Sequence, residues 1–403
     1  MVTQLRVTTA GESHGPAEVC VVEGIPAGLA LRSADVDMEL SRRRKGYGRG
    51  ARMAIEGDAC RFLSGVRQGR TLGSPICILV ENQDHVNWLD VMSAEPAPAQ
   101  ADRGAPVTVP RPGHADLPGM AKYATSDIRD VLERASARET VGRVAAGAVC
   151  KRFLAEVGVS VRARVIRIGD IAVATNGSLV DPQAIDWDAV EVSSLGCDDV
   201  AVSERMRAAV DVARERGESL GGIFEVWCWG MCPGLGGYAS MADRLSGRLL
   251  GALGSIPAIK GVELGAGFEN ASKSGSEVHD PLELRTDGAG SWIARKTNRA
   301  AGLEGGMTTG MPIVLRAAMK PIPTLTTPLP SVDTTTMKPT PAHVERSDIT
   351  AVPAARVVGE AMAAQVLASA YLEKFGGDSV PEFLANVRSY AAVLEERGLW
   401  RRS

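Results

Sequence analysis

Gly11-Glu12-Ser13-His14-Gly15 stands between two short runs, residues 4–7 and 17–23, in which apolar and polar residues alternate. The pentapeptide fits Gly-x-Ser-x-Gly, the nucleophile elbow of serine hydrolases, in which a strand enters a sharp turn and a helix leaves it. Here the following residues, Ala17-Glu18-Val19-Cys20-Val21-Val22-Glu23, spell a second strand. Strand, polar turn, strand turns the reading away from a parallel α/β sheet and leaves Ser13 and His14 as hydrogen-bonding and proton-carrying groups on a glycine-flanked turn.

Working outward, Ser33 is placed to cap a helix over 34–44, with Asp35 and Asp37 in its first turn. Strands are expected over 53–57 and 75–81, an extended loop over 94–112, and the longest helix from Ser126 or Asp127 to about Val157. Further strands are expected over 159–171, 221–230, 258–264 and 310–320. Helices are expected from Ser203 to about Arg216, from Ser240 onward, and from Pro353 to Phe375. Residues 173–200 and 386–403 carry no recognisable signature, and 321–341 reads as a Pro-Thr-rich loop. Helices and strands mix without strict βαβ alternation, so the expected fold class is α+β with antiparallel sheets. No P-loop and no dinucleotide fingerprint is present.

The chain has 403 residues, 45% hydrophobic and 23% charged, with a formal net charge of -3, which points to neither nucleic acid nor membrane. Seven scattered cysteines argue against a disulfide framework and fit a reducing compartment. The start lacks a basic, apolar leader and no run is long enough to cross a bilayer, so the expected location is the cytoplasm. No spacing of histidine and cysteine suggests a metal site.

Four segments carry chemistry. His14, in the opening turn, and His114, in Arg111-Pro112-Gly113-His114-Ala115-Asp116, are two of only five histidines. Two positioned histidines suit an elimination that neutralises a leaving group, with Asp116 able to orient His114. The loop Arg42-Arg43-Arg44-Lys45-Gly46-Tyr47-Gly48-Arg49-Gly50-Ala51-Arg52 is dense in guanidinium. A solvated charged face is its ordinary reading, but its glycines let backbone and arginines approach a small polyanion closely. In Glu133-Arg134-Ala135-Ser136-Ala137-Arg138-Glu139-Thr140, Arg134 and Arg138 are expected one turn apart and Glu139 is expected to pair with Arg143. His85, His279 and His343 read as surface or loop residues.

Together with Ala-Ile-Lys-Gly-Val-Glu at 258–263, Thr-Asn-Arg-Ala at 297–300 through Gly306, Lys-Pro-Ile at 320–322 and Arg-Ser-Asp at 346–348, these segments resemble the chorismate synthases from residue 5 to about 385. The resemblance implies one catalytic domain over 1–403, a large β-α-β sandwich, a homotetramer, and a 1,4-anti elimination of phosphate from 5-enolpyruvylshikimate 3-phosphate. It implies reduced FMN as cofactor; it does not say whether the protein reduces its own flavin with NADPH, and an external flavin reductant is the default expectation. It assigns His14 to protonation of the departing phosphate, His114 to the flavin's protonation, Asp348 to the ring proton, and Ser13 and Ser136 to the proton network. Arg43 and Arg49 match anion- or NADP-binding arginines, and Arg52, Arg111 and Arg138 join them as substrate-binding residues. Arg134, Ala135, Ser136, Pro257, Ala258, Gly305, Lys320, Pro321, Ile322, Pro323, Thr324 and Arg346 match flavin-binding positions. The sequence departs from the family's usual pattern at Pro257, Ala301 and Pro323. Two other readings stand beside this one: a serine hydrolase using Ser13, and a non-catalytic anion- or RNA-binding protein using 42–52.

Overall fold

In the four-stranded antiparallel sheet, Arg6–Ala10, Ala17–Glu23, Ile76–Glu81 and Cys60–Ser64 lie side by side in that order. The computed structural model describes residues 5–49, 57–96, 104–174, 181–288, 290–345 and 348–401. Period-two alternation sends Cys20, Val22, Ile76, Ile78 and Val80 to one buried face, and Glu18 with them. The first strand runs to Ala10, further than its own alternation indicates, because Ala10 pairs with Val19 across the turn.

A second antiparallel sheet has five strands, in the order Ile259–Leu264, Ile313–Met319, Gly222–Trp229, Ser160–Ile168 and Ile171–Ala172. Between the sheets lies a layer of helices, Ser33–Arg44, Thr140–Ala155 and Val352–Phe375. The fold is therefore α+β, a sheet–helix–sheet sandwich. Val352–Phe375 is apolar nearly all round because it touches neighbours on every side. Its contacts are close: a Cβ on Gly147 would lie 2.3 Å from the Ala361 Cβ, and one on Gly359 would lie 2.5 Å from Phe224. A buried ion network ties the layer together. Arg42 turns to Glu39, Glu191 and the fully buried Glu360, which also takes Lys151, and does not line the cavity described below.

Outside the sandwich, residues 104–128 form an arm whose Val107 and Ile128 pack with Met120 and with Leu132 of the helix Arg129–Ala135 in a small cluster apart from the main core. A hairpin, Pro330–Asp333 with Lys338–Pro341, braces the arm through Ser331 to the Pro110 carbonyl (2.6 Å) and the Thr334 amide to the Thr108 carbonyl (3.0 Å).

Several expectations are corrected. The helix expected over 126–157 is broken: Arg129–Ala135 ends at Ser136, whose extended backbone (φ -65°, ψ 148°) starts a short 3-10 turn, Ala137–Glu139, before Thr140–Ala155. The helix expected from Ser203 is Val200–Glu215, capped by Asp199, so Ser203 lies inside it. Ser240 holds the Asp243 amide in a turn, and the helix there is Leu245–Gly254. The Pro-Thr-rich loop contains the hairpin just described. Of the segments without signatures, 173–200 holds a short helix, Trp187–Val192, and the C-terminal one lies largely in Val380–Glu396. The strand expected over 53–57 falls outside the described residues except Gly57, which is irregular. All seven cysteines are free. No described helix is long and apolar enough to cross a membrane, and no described cluster of His, Cys, Asp or Glu has a metal-binding arrangement.

Candidate active site

The turn carrying Ser13 and His14 lies over the edge of the four-stranded sheet, where its backbone needs partners outside the ladder. Asn82, just past the strand Ile76–Glu81, supplies them: its Nδ2 donates to the Glu12 carbonyl (3.0 Å) and the Gly15 carbonyl (2.8 Å). The Ser13 amide donates to the Glu133 carbonyl (3.0 Å). Gly11 has φ 126°, and a Cβ there would collide with the Ala17 carbonyl and Glu18, so only glycine makes this turn.

Glu133 is the partner of His14. Its carboxylate accepts from the His14 amide (2.9 Å) and lies 2.9 Å from the ring Nδ1, while 3% of the Glu133 side chain is exposed. Nδ1 is therefore the protonated nitrogen in the neutral ring, which leaves Nε2 for a ligand. The ring stacks on Trp88 with centroids 4.0 Å apart, and Arg129 lies over the Trp88 ring. His85 contacts the His14 carbonyl through Nδ1 at 2.9 Å, a tie to the site that its loop position did not announce.

His114 has the same kind of support. Asp116 accepts from its Nδ1 at 2.5 Å and from Arg111 through the amide (3.0 Å), Nε (2.8 Å) and Nη2 (3.1 Å). Burial opposes ionisation of Asp116, but the hydrogen bonds from His114 and Arg111 hold its carboxyl well below the usual carboxylate range.

Both histidines face one cavity of about 450 Å³, a volume typical of small-molecule sites. Among the described residues, Arg43, Arg49, Arg111, Arg138 and Lys320 line it against two carboxylates, Glu345 and Asp348. Arg43 comes off the last turn of Ser33–Arg44 and donates to Thr140 Oγ1 (2.9 Å) and the Ala137 carbonyl (3.0 Å). Burial, with Arg49 and Arg138 nearby, pulls it down to about 10, and its buried Nη1 has Asp58 at 3.5 Å but no hydrogen bond. A crowded cation short of an acceptor fits an anionic ligand. Arg138 is anchored by Asn82 (2.8 Å) and Asp58 (2.5 Å), and Arg49 pairs with Asp348 at 3.1 Å. Hydrogen bonding from His343, followed by the charge of Arg111, keeps Glu345 below the ordinary glutamate value. Lys320 donates to the Gly113 carbonyl (2.9 Å), and burial with Lys260 nearby lowers its ammonium.

The helix break at Ser136 shapes the floor. It turns Ser136 Oγ to donate to Ser13 Oγ (3.1 Å) and lets Ala135, Ser136 and Ala137 line the cavity. Arg134 and Arg138 consequently do not share a helix face. Arg134 donates to the Gly11 and Thr9 carbonyls and does not line the cavity. Glu139 does pair with Arg143, at 2.9 Å. Pro257, Ala258, Met319, Ile322, Pro323 and Thr324 complete the wall, Ala258 with φ 68°. Gly305, in a tight hairpin turn at φ 59°, and Pro321 do not line it. Arg52 and Arg346 lie outside the described residues.

Ser13 is 2% exposed and engaged with Ser136, while His14 is committed to Glu133, and no helix follows the turn. That is not a serine hydrolase's nucleophile elbow.

An α+β sandwich holding two carboxylate-backed histidines against an arginine-lined cavity defines an enzyme of acid–base chemistry on a small polyanion. More specifically, the chain belongs to the chorismate synthase family, whose model, described as chorismate synthase, matches residues 5–372. It is 52% identical over 386 residues to the chorismate synthase of Desulforudis audaxviator (strain MP104C), covering 96% of this chain and 97% of the relative. It is 53% identical over 383 residues to that of Rubrobacter xylanophilus, covering 95% of each. A solved structure titled "Crystal Structure of Chorismate Synthase" superposes with a TM-score of 0.79 at 39% identity, over 98% of this chain and 100% of that one. The chain is a carbon–oxygen lyase acting on a phosphate ester, in the shikimate route to aromatic amino acids.

Proposed function

We propose that the cavity between His14 and His114 is where 5-enolpyruvylshikimate 3-phosphate loses phosphate by 1,4-anti elimination, beside a bound reduced FMN. The observation that carries this reading is the convergence of two carboxylate-backed histidines on a cavity lined by Arg43, Arg49, Arg111 and Arg138. Guanidinium groups meet the charge of the substrate's phosphate and carboxylates, and His14 offers a proton from Nε2 to the departing phosphate. Glu133 supports the proton-carrying ring and fixes its orientation. Ser13 and Ser136 form the hydroxyl chain beside it. Asp348, held by Arg49, holds the proton removed from the ring, and His114, braced by Asp116, controls protonation at the opposite wall.

Reduced FMN, when bound, supplies the electron-rich ring that makes breaking an unactivated C–H bond feasible. The residues present fit it: Ala135, Pro257, Ala258, Met319, Ile322 and Pro323 offer an apolar face, while Ser136, Lys320 and Thr324 offer polar contacts. Arg134, Gly305 and Pro321 are left out of this set.

An external flavin reductant, a cytoplasmic location, a single domain over 1–403 and a homotetramer complete the reading. Exposed Leu282, Leu284 and Ile293 on the hairpin Leu282–Asp287 with Gly290–Arg295 support self-association. The test is an anaerobic assay with chemically reduced FMN and the enolpyruvyl substrate. Chorismate is expected from the wild type, and His14→Ala and His114→Ala are expected to lose turnover while still binding substrate. No chorismate from the wild type refutes the reading, and wild-type rates in both variants refute the acid–base assignment.

A further inference from the structure

Glu18 is the anomaly of the four-stranded sheet. On the inward face of Ala17–Glu23 it occupies the row of Cys20 and Val22, and it is 1% exposed. Its carboxyl lies beneath the turn that carries Ser13 and His14: Oε2 would be 2.7 Å from a Cβ on Gly11. Neither carboxyl oxygen has a hydrogen bond. The nearest cation, Arg134 Nη1 at 3.5 Å, donates to the Gly11 carbonyl, and Arg134 Nη2 to Thr9.

Charged groups face Glu18 from three elements. Arg134 comes from Arg129–Ala135, Arg138 and Glu139 from the 3-10 turn, and Arg43 from Ser33–Arg44. Glu139 Oε1 is also buried without a hydrogen bond. Arg43 and Arg138 are at the same time walls of the cavity, so Glu18 sits behind the cations that would meet an anionic ligand. Burial raises its carboxyl to about 7, where a small change in the surrounding field changes how much of it is protonated.

Resting on the reading of the cavity as a polyanion site, we propose that Glu18 is the site's proton reservoir: it takes up a proton as the polyanion enters and returns it on release. Negative charge arriving in front of Arg43 and Arg138 cancels part of the positive field that keeps Glu18 ionised, and a proton from solvent restores the balance. No bond other than O–H forms or breaks. Glu18 therefore acts through the arginines as a positioning residue and does not touch the substrate. By linkage, affinity for the polyanion falls as pH rises through neutrality.

The experiment is titration calorimetry of the whole protein with 5-enolpyruvylshikimate 3-phosphate in buffers of differing ionisation enthalpy. The number of protons taken up is compared between wild type and Glu18→Gln. Wild type is expected to take up several tenths of a proton more near pH 7.5, with the difference vanishing near pH 5. If the ligand shifts the Glu18 equilibrium tenfold, wild-type affinity weakens about tenfold more than E18Q affinity between pH 6 and pH 9. Glu18→Leu, matching its apolar neighbours, serves as the second variant should E18Q fold poorly. A merely structural Glu18 would alter the melting temperature without altering the proton count. Binding with equal proton counts in wild type and variants overturns the role of Glu18 alone. Absence of binding to the wild type overturns the polyanion reading itself.

Discussion

Replacing Glu133 by glutamine preserves the side chain's shape and removes the charge behind His14. The carboxylate accepts from the His14 amide and lies 2.9 Å from its Nδ1, and it also takes Arg129 at 3.2 Å. A glutamine offers one acceptor oxygen in place of two, so its NH2 group must face either Arg129 or the histidine's own donors. A hydrogen bond to a charged group is worth about 1.5–3 kcal/mol. Lost at the histidine proposed to deliver the proton, that is roughly 10- to 150-fold in kcat. Glu133 does not line the cavity, so substrate affinity is expected to change little. The assay is anaerobic turnover with chemically reduced FMN, with calorimetric substrate binding and melting temperature measured on the same preparation. A kcat within twofold of wild type, with the fold intact, would falsify the role given to Glu133.

Other perturbations read different parts of the site. Arg43→Met removes a buried cation that is short of an acceptor, and substrate affinity is expected to fall by about 2 kcal/mol or more, roughly 30-fold, in the same calorimeter. Asn82→Ala frees the Glu12 and Gly15 carbonyls and Arg138 Nε together; a stability loss of about 2–3 kcal/mol by denaturant melts, with lower kcat, is expected. For Glu18, the folded carboxyl is raised from 4.5 to about 7, so its full stability contribution exists below about pH 4.5 and is lost as pH rises through 7. Glu18→Leu is therefore expected to gain up to about 3 kcal/mol relative to wild type between pH 5 and pH 8, and a pH-independent difference would remove that explanation. Asp116 has the opposite sign. Its depressed carboxyl stabilises the fold above the unfolded value and loses that contribution as pH falls, so Asp116→Asn is expected to flatten the acid limb of the stability curve.

The α+β class was legible because alternation and glycine-bounded turns are local signals; the strand after His14 counted against the hydrolase elbow, but it took the burial of Ser13 and its contact with Ser136 to remove that reading. The buried helix Val352–Phe375 was equally legible from its apolar run and starting proline. The break at Ser136 was not: residues 126–157 suit a helix throughout, and the partner that Ser136 meets there, Ser13, is 123 residues away in the chain. Motif reading brought His14, His114, Arg43, Arg49, Arg111, Arg138 and Asp348 to one cavity and gave His114 its partner Asp116, yet it missed the groups that hold the others. Glu133 lay inside a recognised motif without a role. Asn82, Trp88 and Asp58 carry no local mark, since their importance comes from partners such as Glu12, His14 and Arg138. Arg134 and Gly305 show the converse: both lie in matched segments, but neither faces the cavity.

The arm at 104–128 gives the two histidines different mechanical backgrounds. His14 rides on the main core, whereas His114 rides on a segment whose small core, Val107 and Ile128 with Met120, is closed by Leu132 of the neighbouring helix Arg129–Ala135. Segments with so little buried contact open locally at a fraction of the global unfolding cost. A ligand spanning both histidines holds the arm closed by mass action, about 2.7 kcal/mol at a hundredfold excess over Kd. Amide hydrogens of the arm should then exchange with solvent about a hundredfold more slowly in the complex. Those of the four-stranded sheet, already limited by global unfolding, should slow only as far as the whole fold is stabilised.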